Sequence, residues 1–319
     1  MKISGITMGR NALKLYYPMR QSIESILPLV DEFVVVLGKS DEDDRTREEV
    51  EAIGSEKIRI IDTVWDIEKY PRGMEHAHQT DLAKEACSGD WVFYLQSDEV
   101  VHEKDLPAIR QRCLDLLDDR EVEGLLFRYY HFWGDYDHLQ DNHCWYRKEI
   151  RIVRNDPMIH SWESAQSFRR IPNFDGLNYR QQEGTHKLKV AEVDAAIYHY
   201  GWVRPPSVMQ RKIKAFQTNH KGEQKVRELE ALRQYDRMFD YGNLSSLTRF
   251  RGTHPAVMKA WIDRFDWGDQ LRFSGPSRSL NPVMSKHDKP RYKAISWIEK
   301  KLLGGRRLGE FRNYVLLKR

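Results

Sequence analysis

The first hundred residues alternate short apolar runs with helical stretches, and few folds accept that alternation. Strands are expected over residues 2–7, 33–37, 57–62 and 91–95, with helices over 12–26, 46–53 and 77–87 between them. Strand–helix repeats of this length build an α/β, Rossmann-like, mostly parallel sheet flanked by helices. The run Phe33-Val34-Val35-Val36-Leu37 is apolar at every position, as in a strand covered on both faces.

The last of these strands ends abruptly in Gln96-Ser97-Asp98-Glu99. In open α/β sheets ligands bind beyond the carboxyl ends of strands. Two hard oxygen donors there suit Mg²⁺ or Mn²⁺, ions usually held by one or two carboxylates plus substrate phosphates. A metal–diphosphate site and a solvated acidic turn both satisfy this segment. Beyond it, a helix is expected over 105–117 and strands over 124–130, 149–154 and 195–199. A long charged helix is expected over 207–240, opened by Pro205-Pro206. This divides the chain into a catalytic domain, 1–205, and a helical C-terminal extension with a basic tail, 206–319.

At 40% hydrophobic and 11% aromatic residues, the 319-residue chain can build a sizeable core. Cys87, Cys113 and Cys144 are odd in number and widely spaced, which argues against a disulfide framework or a zinc knuckle and for a reducing cytoplasm. No apolar run approaches the roughly 20 residues that span a bilayer. The net charge of +4 is uneven. Residues 286–319 carry eleven Lys/Arg against three acidic residues, a net +8, which leaves −4 on the rest. A basic tail on an acidic body points to an anionic partner or to solvated surface charge.

The order of these pieces resembles the family 2 glycosyltransferases of the GT-A fold, in a bacterial subgroup. Residues 3–11 are similar to the family's first strand and its nucleotide-contacting loop, here Arg10-Asn11. Residues 30–36 resemble its second strand, and Asp44-Arg45-Thr46 the acidic loop after it. Gln79-Thr80-Asp81 stands where the family has a helix facing the diphosphate. Residues 89–99 resemble its metal-binding strand, and Tyr198-His199-Tyr200-Gly201-Trp202 a late motif of the subgroup. Three departures are visible: Leu37 where a base-contacting Asp often stands, Thr80-Asp81 for a basic residue and Asn, and Gln96 for the first acidic residue.

The resemblance implies a metal-dependent, inverting transfer of a sugar from a nucleotide-diphosphate donor, UDP- or GDP-linked, to a glycan or lipid-linked hydroxyl in surface glycan synthesis. Such chemistry needs a stabilised diphosphate leaving group and a base for the acceptor hydroxyl. Asp98, Glu99 and His199 are the expected ligands of Mn²⁺ or Mg²⁺, with Asp98 also counted catalytic. Arg10, Asn11, Asp44, Gln79 and Ser97 are the nucleotide-side candidates. Glu163 is the favoured base, with Asp135 and Asp137 as rivals and an ion pair to Arg169 or Arg170 as the structural alternative. Arg147, Arg151 and Arg154 are possible phosphate clamps, and Trp133, Trp145, Trp162 and Trp202 a possible acceptor platform. His76 and His78, at i and i+2, do not share a helix face.

Two other functions fit parts of the chain. A nucleotidyltransferase would use a Gly-rich loop after the first strand, but only Gly9 stands there. A nucleic-acid or anionic-surface binding module would use the tail, whose Trp297, Phe311 and Tyr314 lie among Lys and Arg. The tail also suits peripheral contact at the inner face of a membrane; no specific nucleic acid is expected.

Overall fold

The computed structural model describes residues 1–232, 237–281, 285–309 and 312–319. Its first half follows the expected alternation: β1 (Ile3–Gly9), α1 (Met19–Ile26), β2 (Glu32–Gly38), α2 (Thr46–Glu51), β3 (Ile58–Thr63), α3 (Met74–Glu85) and β4 (Trp91–Tyr94). These strands run parallel in the order β3-β2-β1-β4, with Ile6 opposite both Val34 and Tyr94. The two inner strands and β4 are buried almost throughout, whereas edge strand β3 exposes Arg59 and Asp62. Their sequences follow that division: apolar on both faces inside, alternating at the edge.

The second half departs from a mostly parallel sheet. It adds β5 (Glu99–Val101), α4 (Leu106–Asp115), β6 (Gly124–Trp133), β7 (His138–Leu139), β8 (Lys148–Arg154), β9 (Ile159–Trp162), β10 (Ser167–Arg170) and the long β11 (His186–Trp202). β8 inserts antiparallel between β4 and β6, β6 runs parallel to β11, and β5 crosses antiparallel to β11. The sheet is therefore mixed. Run composition alone cannot distinguish strand direction here, because β8 is buried on both faces regardless.

Two helices are shorter than expected. The stretch 12–26 becomes helical only from Met19, after Pro18, because a residue preceding proline is pushed out of the helical region; Tyr16 has φ +59°. The stretch 207–240 splits into α5 (Pro206–Lys221) and α6 (Glu223–Ala231) at Gly222, whose φ is +83°. Residues 233–236 of that stretch lie outside the described residues.

The C-terminal region is not purely helical. β12 (Thr248–Arg249), α7 (Lys259–Ile262) and α8 (Pro290–Lys301) are joined by loops and single turns, and β13 (Tyr314–Leu316) adds to β11. Met209, Tyr241, Met258, Trp261 and Trp267 share one apolar cluster with Phe132, Trp133, Tyr198 and Tyr200. Burying each such side chain stabilises by roughly 1.5–3 kcal/mol, so this region is built onto the sheet. The tail is tied down too: buried Glu299 binds Arg307 (2.8 Å) and His143 (2.7 Å), and Lys300 binds Asp141 (2.5 Å). Trp297 and Leu302 stay exposed, at 58% and 66%; Phe311 lies outside the described residues. No helix among the described residues is long and apolar enough to cross a membrane.

Candidate active site

The chain leaves β4 at Tyr94, turns through residues 95–98 and enters β5. The Tyr200 amide donates to the Asp98 carbonyl oxygen (2.8 Å) and fixes that turn against β11. Asp98 and His199 are 5% and 8% exposed, and Asp98 Oδ2 lies 3.8 Å from His199 Nε2.

The proton positions follow from the neighbouring hydrogen bonds. The Tyr146 carbonyl oxygen can only accept, so His131 Nε2 donates to it (2.8 Å). His131 Nδ1 is then an acceptor, and His199 Nδ1, 2.9 Å away, donates to it. His199 Nε2 is left with a bare lone pair facing the Asp98 carboxylate. Two acceptors aimed at one point call for a cation between them. Gly201 opens that space: a Cβ there would collide with both His199 Nε2 and Asp98 Oδ2. A histidine ligand whose other nitrogen is engaged by a partner is the usual metal-site arrangement. Among the described residues no three His, Cys, Asp or Glu side chains converge on one ion, so oxygens of a bound phosphate would have to complete its shell.

Glu99 does not take part. Its oxygens accept from Arg151 Nε and Nη2 (both 2.7 Å) and Tyr129 Oη (2.8 Å), and it also accepts from the Gln96 amide (3.1 Å); Glu99 and Arg151 side chains are fully buried. Breaking such a pair costs about 3–5 kcal/mol, so Glu99 and Arg151 are a structural strut, neither metal ligand nor phosphate clamp.

Burial opposes the Asp98 charge, yet His199 first, then Lys212 and Arg204, hold its carboxyl below the usual value. Burial lowers His199 to about 4 and His131 to about 3, leaving both neutral at pH 7. The basic side chains beside Asp98 are Lys212 and Arg204. Lys212 Nζ lies 3.5 Å from Asp98 Oδ2, donates to the Gly201 carbonyl oxygen (2.5 Å), and sits near the Tyr17 and Trp202 rings (5.1 and 5.4 Å). Burial, then Arg204, lowers it to about 7. Arg204 is fully buried over Tyr17 (4.5 Å) and donates Nη1 to the Leu15 carbonyl oxygen (2.5 Å). Its Nε and Nη2 have no acceptor among the described residues, and a buried unpaired donor costs about 1–3 kcal/mol. Sequence reading missed both cations. The only signal was their position soon after the His199 motif.

Glu163 stands just past β9 with φ +56°, and Ala165 has φ +59°. For non-glycine residues this backbone costs on the order of 1–3 kcal/mol and persists only when held from outside. It is held by the Glu163 amide donating to the Tyr179 carbonyl oxygen (2.9 Å) and by Gln96 Nε2 donating to the Ala165 carbonyl oxygen (3.0 Å). Gln96 thus ties the Glu163 turn to the loop that carries Asp98. The Glu163 side chain is 38% exposed and 3.7 Å from Arg180. Neither expected alternative partner forms an ion pair with it: Arg169 lies over Trp162 and only feels the Glu163 charge, and Arg170 binds Glu123 and Asp156.

Beyond the ends of β2 and β3 lies a cavity of about 510 Å³, lined by Leu37, Gly38, Ser40, Asp44, Thr46 and Thr63 among others. Asp44 accepts from the Lys14 and Thr46 amides (2.9 and 3.1 Å) and shapes its wall. Asn11, with φ +54°, accepts from the Asp41 amide (2.8 Å), which makes it a turn residue. Arg10 is exposed, 6.0 Å from the Trp65 ring. Ser97 Oγ donates to the Met8 carbonyl oxygen (2.8 Å). Gln79 is buried between Glu75 (2.6 Å) and Thr63 (2.5 Å), so its amide is spent inside the fold.

The rival candidates have structural duties. Asp135 caps its own turn through the Asp137 and His138 amides, and Asp137 is exposed opposite Arg249. Arg154 stacks on Trp91 (4.0 Å) and donates to four carbonyl oxygens. Arg147 binds the Gly305 carbonyl oxygen. Trp133 is buried, with half-buried Trp145 and Trp202 packed against it, and Trp162 is buried beneath Arg169. His76 meets Trp65 and Asn219, whereas His78 stacks on Tyr70.

No protein-family model matches this chain, and no curated protein matches it. Solved structures with partial similarity include S. aureus TarS 1-349, at 17% identity over 70% of this chain and 68% of that one, with a TM-score of 0.38. A longer S. aureus TarS structure is 15% identical over 70% of this chain but 41% of its own, at the same TM-score. Glucosyl-3-phosphoglycerate synthase from Mycobacterium tuberculosis, in complex with Mn²⁺, UDP-glucose and phosphoglyceric acid, is 23% identical over 40% of this chain and 44% of that one, with a TM-score of 0.29.

Proposed function

We propose that the chain is a glycosyltransferase that moves a sugar from a nucleotide-diphosphate donor to an acceptor hydroxyl with inversion. The observation that carries this reading is the pair of opposed acceptors, Asp98 Oδ2 and His199 Nε2, 3.8 Å apart over Gly201, at the carboxyl end of the sheet's parallel half. The 510 Å³ cavity at the same end is of a size that takes a nucleoside, with Asp44 shaping its wall and Arg10 at the loop after β1. The resemblance to family 2 glycosyltransferases supports the same assignment.

Asp98 and His199 would hold a divalent ion, Mn²⁺ or Mg²⁺, with donor phosphates completing the shell. Bound there, it supplies electrostatic stabilisation of the diphosphate leaving group. The chain's own groups do the rest. His131 keeps His199 in the tautomer whose lone pair faces the site. Glu163, held by Gln96 and Tyr179, takes the proton of the acceptor hydroxyl as that oxygen attacks the anomeric carbon. The bond from that carbon to the phosphate oxygen breaks, and its electron pair leaves with the nucleoside diphosphate.

We also propose that the enzyme is cytoplasmic and meets an anionic membrane surface through exposed Trp297 and Leu302 and the Lys and Arg around them, as an enzyme of surface glycan synthesis with a lipid-linked acceptor would. Weak, salt-sensitive binding to anionic vesicles is expected, and Trp297→Ser with Leu302→Ser should reduce it; equal binding by that variant contradicts the contact.

The function is tested by thermal unfolding with UDP, GDP, CDP and dTDP, each with and without Mn²⁺. A ligand that binds only the folded chain raises its melting temperature. One nucleotide should do so clearly more than the others; no shift with any of them overturns the assignment.

A further inference from the structure

Lys212 and Arg204 have no part in the reaction as derived so far, and their surroundings leave them short of negative charge. The carboxylate facing Lys212 is Asp98, at 3.5 Å, longer than a charge-assisted hydrogen bond. Its neighbour Glu99 is already spent on Arg151. Arg204 is fully buried and leaves Nε and Nη2 without acceptors. Its charge bears on Asp98, His199 and Lys212 alike. Two buried basic side chains share one carboxylate, and buried donors without acceptors cost free energy that a bound anion would offset. The aromatic faces of Tyr17 and Trp202 around them can favour a cation but cannot accept several hydrogen bonds.

We infer that Lys212, with Arg204 behind it, binds the diphosphate of the donor directly, so that the protein holds a nucleoside diphosphate without any divalent ion. This rests on the nucleotide-sugar reading above. In the transfer step the electron pair of the breaking carbon–oxygen bond passes to a phosphate oxygen, and the ammonium of Lys212 donates a hydrogen bond to it as the charge grows. The proton stays on the lysine, and the acceptor's proton goes to Glu163. A divalent ion in the Asp98–His199 cradle and the two side-chain cations would then flank the diphosphate from different sides.

The test is calorimetric titration of the full chain with UDP, GDP, CDP and dTDP and their monophosphates, in EDTA and in Mn²⁺. In EDTA at least one diphosphate should bind ten times more tightly than its monophosphate. Lys212→Met should weaken that diphosphate at least tenfold while leaving the monophosphate within about twofold, and Lys212→Arg should restore most of the loss. Lys212→Gln, which keeps a donor without the charge, substitutes for the methionine variant if that one melts early. Diphosphate binding that appears only with Mn²⁺, or a Lys212→Met protein that binds as wild type in EDTA, overturns the inference and leaves the proposed function standing. Absence of binding in both buffers overturns the function itself and the inference with it.

Discussion

Asp98, His199 and Gly201 form a unit in which each residue has a separate physical duty. Asp98→Asn keeps the shape of the side chain but removes the charge that faces His199. It should fold normally and lose at least a hundredfold in transfer rate, measured by release of nucleoside diphosphate; full activity would remove Asp98 from the site. Gly201→Ala should fill the space between the two acceptors and produce a similar loss. Glu163→Gln should lower kcat at least a hundredfold and leave donor affinity nearly unchanged, because it removes only the proton acceptor. A loss confined to donor affinity would assign Glu163 to the sugar instead. Asp98, His199 and Glu163 could be singled out in the sequence because each follows or ends an apolar strand in a polar or acidic motif. Arg204 and Lys212 were not, because their meaning depends on folding back against a loop more than a hundred residues earlier. Glu99 looked like a ligand for the same reason as Asp98, and only the buried Arg151 distinguishes them.

At the level of elements, the site is a meeting of loop ends held by a few hydrogen bonds. The loop after β4 carries Asp98, and its Gln96 reaches the turn after β9 that carries Glu163. In the sequence Gln96 was a departure from an acidic pattern; in the fold it links the loop of Asp98 to the turn of Glu163. Gln96→Leu should leave donor binding within about twofold and lower kcat roughly tenfold, because a turn with two positive-φ residues is no longer pinned. Unchanged kcat would show that Tyr179 holds the turn alone. The parallel half of the sheet was legible from its apolar runs. The antiparallel insertion of β8 was not, because pairing direction leaves no trace in a strand buried on both faces.

Across the whole molecule, several histidines are kept neutral by burial and set the response to acid. His76 is lowered to about 4 by burial first, and its Nε2 accepts from Asn219 Nδ2 (3.2 Å). The unfolded chain takes up that proton near pH 6.5. Between those values the unfolded state binds more protons, so stability falls as pH drops through 6.5 towards 4. The gap between about 4 and 6.5 caps its share at about 3 kcal/mol, and its partial accessibility lowers that. His131 and His199 shift in the same sense. The melting temperature should decline over this window, and His76→Gln should flatten the decline; an unchanged slope would show that His76 is not kept neutral. The C-terminal region also packs on the sheet: Trp261 and Trp267 share a cluster with Phe132 and Tyr200, and β13 pairs with β11.

Mn²⁺ binding followed by electron paramagnetic resonance reads the cradle formed by Asp98, His199 and Gly201. With the nucleoside diphosphate that binds best, the wild-type chain should take up one Mn²⁺, and Asp98→Asn and Gly201→Ala should each weaken it at least tenfold. Wild-type uptake that neither substitution changes would contradict the cradle formed by Asp98, His199 and Gly201.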